Sequence, residues 1–340
     1  MIRSTFPAAA LAAAFAATTA LANDSEAEWA LGGLTLKTTA AVSMDREELF
    51  LSASEVRVDY VYTNHGPEPL EVLIAFPLPA LPQQAGYLEY ASYPDWSALD
   101  FSTTVDGQPV AWDVADRALI GTGADERDVT DLVTARGWPV HWVLDYAFLD
   151  TVQALPEAEK AALAGSGLLA SYRDEDGVLH VTPGWRGQRF ILRTQTFPAE
   201  ASVAVSHRYT PMIGGSVGGI LYPDTRRDYP EGLAEYRQKW CTDDAFLRGV
   251  DRRLAGAPKG RTRFMSETWL GYVLSSGANW HGPIKHFRLV VDKGESGNLV
   301  SFCMNGVRKI SPTQFEVVKE NFEPTRDLDV LIVRFDDIRE

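Results

Sequence analysis

Cysteine is scarce: the 340 residues contain two, Cys241 and Cys303, both in the last third of the chain. They form no C-x-x-C, so neither a dithiol redox pair nor a thiolate zinc cluster has the residues it needs. In an oxidising compartment an isolated pair reads as one disulfide. It would close a loop of about 60 residues, worth roughly 4 kcal/mol in the chain-entropy model. Positive charge is also short, with 32 Lys plus Arg against 46 Asp plus Glu and a net charge of −14. Such a chain repels phosphate backbones and contains no basic run to reverse that, which argues against nucleic acid as a partner. Beyond residue 22 no stretch approaches the ~18 apolar residues of a membrane span. The chain has no P-loop, dinucleotide fingerprint, H-E-x-x-H, calcium loop or short-period repeat. No cofactor and no metal are expected.

What is present begins with a targeting signal. Arg3 supplies a positive start, an Ala-rich apolar stretch runs from Ala8 to Leu21, and Ala20-Leu21-Ala22 is a small-x-small cleavage site before Asn23-Asp24-Ser25. Residues 1–22 are therefore expected to be a signal peptide cleaved after Ala22. The bacterial style of the segment points to the periplasm. The remainder, with 45% hydrophobic and 23% charged residues in the whole chain, has the composition of a globular protein.

Period-2 patterning dominates. Val56, Val58, Tyr60 and Tyr62 alternate with Arg57, Asp59 and Val61, and Leu70, Val72, Ile74 and Phe76 resume the pattern after Asn64–Pro69. This predicts a hairpin with a six-residue connection. Asp106-Gly107 between alternating runs predicts a second, tighter hairpin. From Arg127 to Ala170 the period changes, and short helices are expected near Val129–Val133 and over Glu157–Leu169, after Pro156. Strands return at Val178, Phe190–Thr194 and Val203–Tyr209. Leu233, Tyr236, Trp240, Leu247, Val250 and Leu254 then fall at helical spacing and predict one long amphipathic helix near 231–254 carrying Cys241. More strands follow to the C-terminus. The expectation is a mainly β, sandwich-like antiparallel fold with a helical insertion, α+β being the alternative. Its segments are an N-terminal β domain over 23–125, a helical insertion over 126–175 and a C-terminal β domain over 176–340.

Catalytic patterns fail one by one. Gly214-Gly215-Ser216-Val217-Gly218 matches G-x-S-x-G, but the Gly219–Pro223 that follow do not start the helix a nucleophile elbow requires. His281 and His286 could share a loop, with Asp292 or Glu267 as a third metal ligand, yet His286 alternates outward on its strand. His207 falls on the apolar face of its strand, as a core histidine does. Acid pairs such as Asp243-Asp244 read as solvated surface. Tryptophan is abundant, with nine residues. Rings on a sandwich face stack on sugars or anchor partners. The candidate ligand-binding residues are Trp280 with its turn neighbours Asn279 and His281, and Trp185 in Gly184-Trp185-Arg186-Gly187.

The chain resembles the bacterial family called domain of unknown function 4424. The resemblance is carried by Asn23-Asp24-Ser25, Gly32-Gly33-Leu34, Ala75-Phe76-Pro77-Leu78-Pro79, His207-Arg208-Tyr209-Thr210-Pro211 and Ala278–Ile284. Ser301-Phe302-Cys303, Ser311–Glu316, Phe322-Glu323-Pro324 and Asp327-Leu328 extend it. It implies an exported, β-rich protein along nearly the whole mature chain and assigns no activity to any residue. The expected function is non-catalytic binding to an envelope or periplasmic partner; the alternative is a hydrolase of envelope glycan or peptide.

Overall fold

The computed structural model describes residues 25–30, 33–37, 39–80, 99–121, 125–145, 147–217 and 219–339. The expected signal segment and its cleavage site lie outside them, as does Gly218.

Alternation builds the first layer. An eight-stranded sheet runs in the order β18 (Arg308–Lys309), β19 (Gln314–Phe322), β16 (Ile284–Asp292), β3 (Val42–Leu51), β4 (Val56–Asn64), β13 (Ser202–Tyr209), β6 (Ser102–Val105), β7 (Gln108–Pro109). Every second residue of β4 is buried, so one face of this sheet is core. Two sheets cover that face. One is six-stranded, in the order β2 (Gly33–Lys37), β1 (Ser25–Ala30), β5 (Leu70–Pro77), β12 (Arg186–Phe197), β8 (Asp113–Ile120), β9 (Arg127–Asp128). The other is four-stranded, in the order β14 (Ile213–Ser216), β15 (Arg261–Tyr272), β20 (Leu328–Arg339), β17 (Leu299–Phe302). Val58, Leu289, Phe76, Ile191, Val330 and Ile332 meet in the central core, and the hydroxyls of Tyr60 and Tyr272 bond across it at 2.9 Å. The fold is mainly β, as the alternation predicts. Its described strand pairs are antiparallel except β3 with β16, which run parallel. Through that pair, and through β13 with β4 and β12 with β5, strands of the 23–125 and 176–340 segments lie side by side in two sheets and contribute to one core.

The insertion has its own small core. Helices α1 (Thr130–Thr134), α2 (Ala147–Gln153) and α3 (Glu157–Gly165) enclose Val133, Phe148 and Leu163 with Trp142 and Trp185. They pack with the ribbon of β10 (Leu169–Arg173) and β11 (Leu179–Pro183). A third layer lies outside the four-stranded sheet: α4 (Pro223–Asp228), α5 (Pro230–Trp240) and α6 (Asp244–Ala255). Trp240, Leu247 and Val250 cover Leu331 and Val333 of β20, while Val330 and Ile332 face the central core. Burial on both faces explains the unbroken apolar run Val330–Val333. Among the described residues no helix is long and apolar enough to cross a membrane.

Two expected elements differ. The strands over 56–64 and 70–77 are not a hairpin: β4 and β5 belong to opposite layers. Asn64 anchors the crossing, its Nδ2 donating to the carbonyls of Glu68 (3.0 Å) and Phe197 (3.2 Å). Period-2 alternation fixes which face is buried but not which strand is the neighbour. The single helix near 231–254 is two. Cys241 takes a left-handed φ of 55°, and Asp243 starts α6 by accepting the Phe246 N–H at 2.7 Å. The apolar spacing continues across the break because both helices lie on one sheet face. The Asp106-Gly107 turn is as expected, with φ 49° and 77°, the signs a type I′ hairpin requires.

The helical layer hides a charge. Glu267 is 3% exposed; its Oε2 accepts from Tyr236 Oη (2.8 Å) and Trp269 Nε1 (2.9 Å), and its Oε1 has no hydrogen-bond partner among the described residues. Burial pushes this carboxyl above its ordinary value of 4.5. The folded chain therefore holds the proton more tightly than the unfolded chain, and this contribution to stability falls as pH rises above the unfolded pKa. Glu267→Gln should remove that part of the slope. Urea midpoints taken across about pH 4 to 8 should show the variant gaining on the wild type as pH rises.

Candidate functional site

The residues singled out by sequence do not form one site. Trp280 is 3% exposed and sits in the central core, its ring 4.5 Å from Tyr62 and 6.0 Å from Phe197. Asn279 is buried beside it, and its carbonyl accepts from Thr39 N at 2.9 Å. His281 turns outward to the surface, 6.2 Å from the His65 ring. Trp185 is 0% exposed in the insertion core, stacked 5.9 Å from Trp138, its Nε1 donating to the Val140 carbonyl at 3.0 Å. Both indoles are thus packing residues of separate cores, with no ring face left for a ligand. An indole's large apolar area is buried wherever the fold permits.

The remaining polar patterns are also structural. Ser216 ends the edge strand β14, and the next helix starts at Pro223. His286 Nδ1 lies 2.7 Å from Glu320 on the sheet surface, and Glu267 lies on β15 under the helical layer, bonded to Tyr236 of α5. Among the described residues no group of three or more His, Cys, Asp or Glu could hold a metal ion. His207 is buried among Tyr60, Phe76 and Phe101. Ser43, His65 and Asp45 have the atoms of a hydrolytic triad in the wrong order. The Ser43 hydroxyl donates to Asp45 at 2.6 Å and meets His65 Nε2 at 2.8 Å. Ser43 is also only 1% exposed, so no substrate carbonyl reaches it.

A different place gathers chemistry. The disulfide between Cys241 and Cys303 (Cα–Cα 5.1 Å) ties the end of α5 to the end of β17. Beside it opens a groove of about 610 Å³. Its apolar surface comes chiefly from Leu274, Phe302, Met304, Phe315 and Phe322, and its charged groups are Asp243, Lys319, Arg326 and Asp327. A second hollow of about 540 Å³ shares Arg326 and Asp327 and adds Lys239 and Asp329.

Each polar group has a local cause. Arg326 donates to the carbonyls of Gln238 (3.4 Å) and Lys239 (3.1 Å), the unpaired acceptors at the negative end of α5. Asp327 Oδ1 accepts from Ser275 Oγ at 2.6 Å and Ser275 N at 3.2 Å, holding the turn before Trp280. Burial raises the pKa of Asp327, against these hydrogen bonds. Burial likewise raises Asp329, which lies 3.9 Å from Lys239 Nζ and also feels Asp327. Lys319 has no ion-pair or hydrogen-bond partner among the described residues. An apolar hollow of several hundred Å³ with a few polar groups converging on one end is the usual form of a ligand site.

A family model described as domain of unknown function (DUF4424) matches residues 22–331. The chain belongs to the DUF4424 family. No curated protein matches it. A Legionella pneumophila protein provisionally named as nutrient binding is similar at 14% identity and a TM-score of 0.41, over 92% of this chain and 71% of that one. An M1 zinc metallopeptidase mutant from Deinococcus radiodurans bound to a Tyr-Ser-Ala substrate is similar at 8% identity and a TM-score of 0.25. That likeness covers 87% of this chain and 43% of the metallopeptidase. In this DUF4424 chain, Ser301-Phe302-Cys303 and the stretch from Phe322 to Leu328 border the groove. Both segments were legible as family features, but nothing in their local pattern signals that they meet.

Proposed function

We propose that this DUF4424 protein is an exported, non-catalytic binding protein of the cell envelope that holds its ligand in the groove beside the Cys241–Cys303 disulfide. The observation carrying the reading is the groove itself, a hollow of mixed lining that sets the rings of Phe302, Phe315 and Phe322 beside Lys319, Arg326 and Asp327. Export and a periplasmic location are supported by the Arg3-to-Ala22 segment and by the pairing of the two cysteines, which persists in oxidising compartments. The test is a thermal-shift screen of the oxidised protein against peptides, oligosaccharides, peptidoglycan fragments and fatty acids. A ligand at 100-fold its Kd should add about 2.7 kcal/mol. Val307 lines the groove at 42% exposure, so Val307→Trp should abolish that shift while moving unligated stability by less than about 0.5 kcal/mol. A shift that survives Val307→Trp places the ligand elsewhere. Fractionation of the native host, with N-terminal sequencing of the product, should find the chain in the periplasm beginning at Asn23.

One observation favours a second reading, a hydrolase of envelope glycan or peptide. Asp327 and Asp329 are two half-buried carboxyls, both raised by burial, in adjoining hollows. A general acid needs such a shift. The binding reading stands first because Asp327 is already engaged with Ser275 as an anchor of the fold. Turnover of a glycan or peptide that disappears in Asp329→Asn would reverse the order.

A further inference from the structure

We infer that the groove takes an extended peptide, apolar side chains accompanied by a carboxylate, laid along the free edge of β17. This rests on the groove being the binding site. The first observation is which residues line it. Val300, Ser301 and Phe302 are consecutive and all border the hollow. Successive side chains of a strand point to opposite faces, so three in a row can border one hollow only if it runs along the strand's edge. Ser301 points away, its Oγ donating to the Trp240 carbonyl at 2.8 Å. β17 is the terminal strand of its sheet, and β20 is its ladder partner among the described residues. Such an edge offers a row of main-chain donors and acceptors, which is how extended peptides are bound.

The second observation is charge. The acids of the groove are engaged: Asp243 caps α6 and Asp327 holds Ser275. Its cations are not matched in the same way. Arg326 reaches carbonyls, and Lys319 reaches no partner among the described residues. Lys319 lies on the same face of β19 as the core residue Val317 and the groove residue Phe315, so it stands on the inward-facing row where the two layers part. On a chain of net charge −14, the cation of this hollow left for a ligand is Lys319, beside phenyl rings, whereas the Arg326 charge already acts on Asp327 and Asp329. Apolar side chains would lie on Phe302, Phe315 and Phe322, and a carboxylate would meet Lys319.

The test uses the whole oxidised protein and fluorescence polarisation with labelled eight-residue peptides. One alternates Val and Phe with Glu; the second replaces Glu by Lys; the third repeats the first with N-methyl groups on alternate amides. The acidic peptide should bind, the basic one at least 10-fold more weakly, and the methylated one at least 10-fold more weakly. Lys319→Glu should weaken the acidic peptide at least 10-fold and strengthen the basic one, with Lys319→Gln between them and all three proteins unfolding at similar urea midpoints. Equal binding of acidic and basic peptides, or a preference unmoved by Lys319→Glu, overturns the charge match. Tolerance of N-methylation overturns edge pairing. If no peptide binds while a fatty acid or glycan fragment gives a thermal shift that Val307→Trp removes, the peptide inference falls and the groove remains the binding site. If that panel also gives no shift, both fall. A lysine with a merely structural role would move the urea midpoint in Lys319→Glu and leave peptide preference as it was.

Discussion

Replacing Cys241 and Cys303 together by serine should lower the unfolding free energy by about 4 kcal/mol, read as a fall in the urea midpoint together with a steeper slope, because the unfolded chain without the crosslink exposes more surface. The bridge spans 62 residues of sequence, and most of its effect is to restrict the unfolded chain. The folded structure supplies a second, local reason. Cys241 leaves α5 in the left-handed region, with its N–H on the Arg237 carbonyl at 3.0 Å. Without the bridge, the fold holds this residue in a conformation that only glycine adopts without cost. The Ser301 hydroxyl still reaches the Trp240 carbonyl, and Trp240 still packs on the sheet, so the end of α5 stays docked on β17 by non-covalent contacts. Reduced wild-type protein should unfold at nearly the same urea concentration as the double serine variant. A difference between oxidised and reduced forms below about 1 kcal/mol would mean the unfolded chain already keeps this segment compact.

The same region shows where sequence reading stops. Its local parts were legible: the cysteine pair, the helical spacing from Leu233 to Leu254, and the strands around Phe315 and Val330. Periodicity reports which face of an element is buried, and for β4, β13 and β16 it did so correctly, whereas β20 is buried on both faces over Val330–Val333. The pattern carries no information about partners. The crossing at Asn64, the parallel union of β3 with β16 and the split at Cys241 are therefore visible only in three dimensions. The split did leave a trace, since Asp243 before Asp244 and Phe246 is an N-cap pattern within the helical spacing. The groove is less legible still. Its walls come from α6, β17, β19 and the turn before β20, and the residues that matter there, Lys319, Arg326 and Asp327, are ordinary surface types until the fold sets them beside Phe302 and Met304. Conspicuous residue types pointed elsewhere. Tryptophan is notable in a sequence because it is rare and large, and for the same reason it is drawn into cores.

Trp280 puts that distinction to experiment. Trp280→Ala should cost about 3 to 5 kcal/mol, the range for deleting a buried aromatic and leaving a cavity. The ring fills the space between Tyr62 and Phe197, and its neighbours Asn279 and Ser276 are held by the backbone of the same turn, so the site has little freedom to collapse. Trp280→Phe retains an aromatic ring and should cost less. Neither variant, while folded, should change the affinity of a ligand for the groove, because Trp280 lines neither hollow. A ligand-stacking tryptophan would show the opposite pattern: stability within about 0.5 kcal/mol of wild type, and ligand binding lost. Asp327 connects the two places, since its carboxylate borders the groove and holds Ser275 in the turn that leads to Trp280. Asp327→Asn keeps a side-chain oxygen for Ser275 and removes the charge from the groove. Changing Trp280 therefore tests the core alone, and changing Asp327 tests the groove with the turn largely kept; stability should follow the first and ligand preference the second.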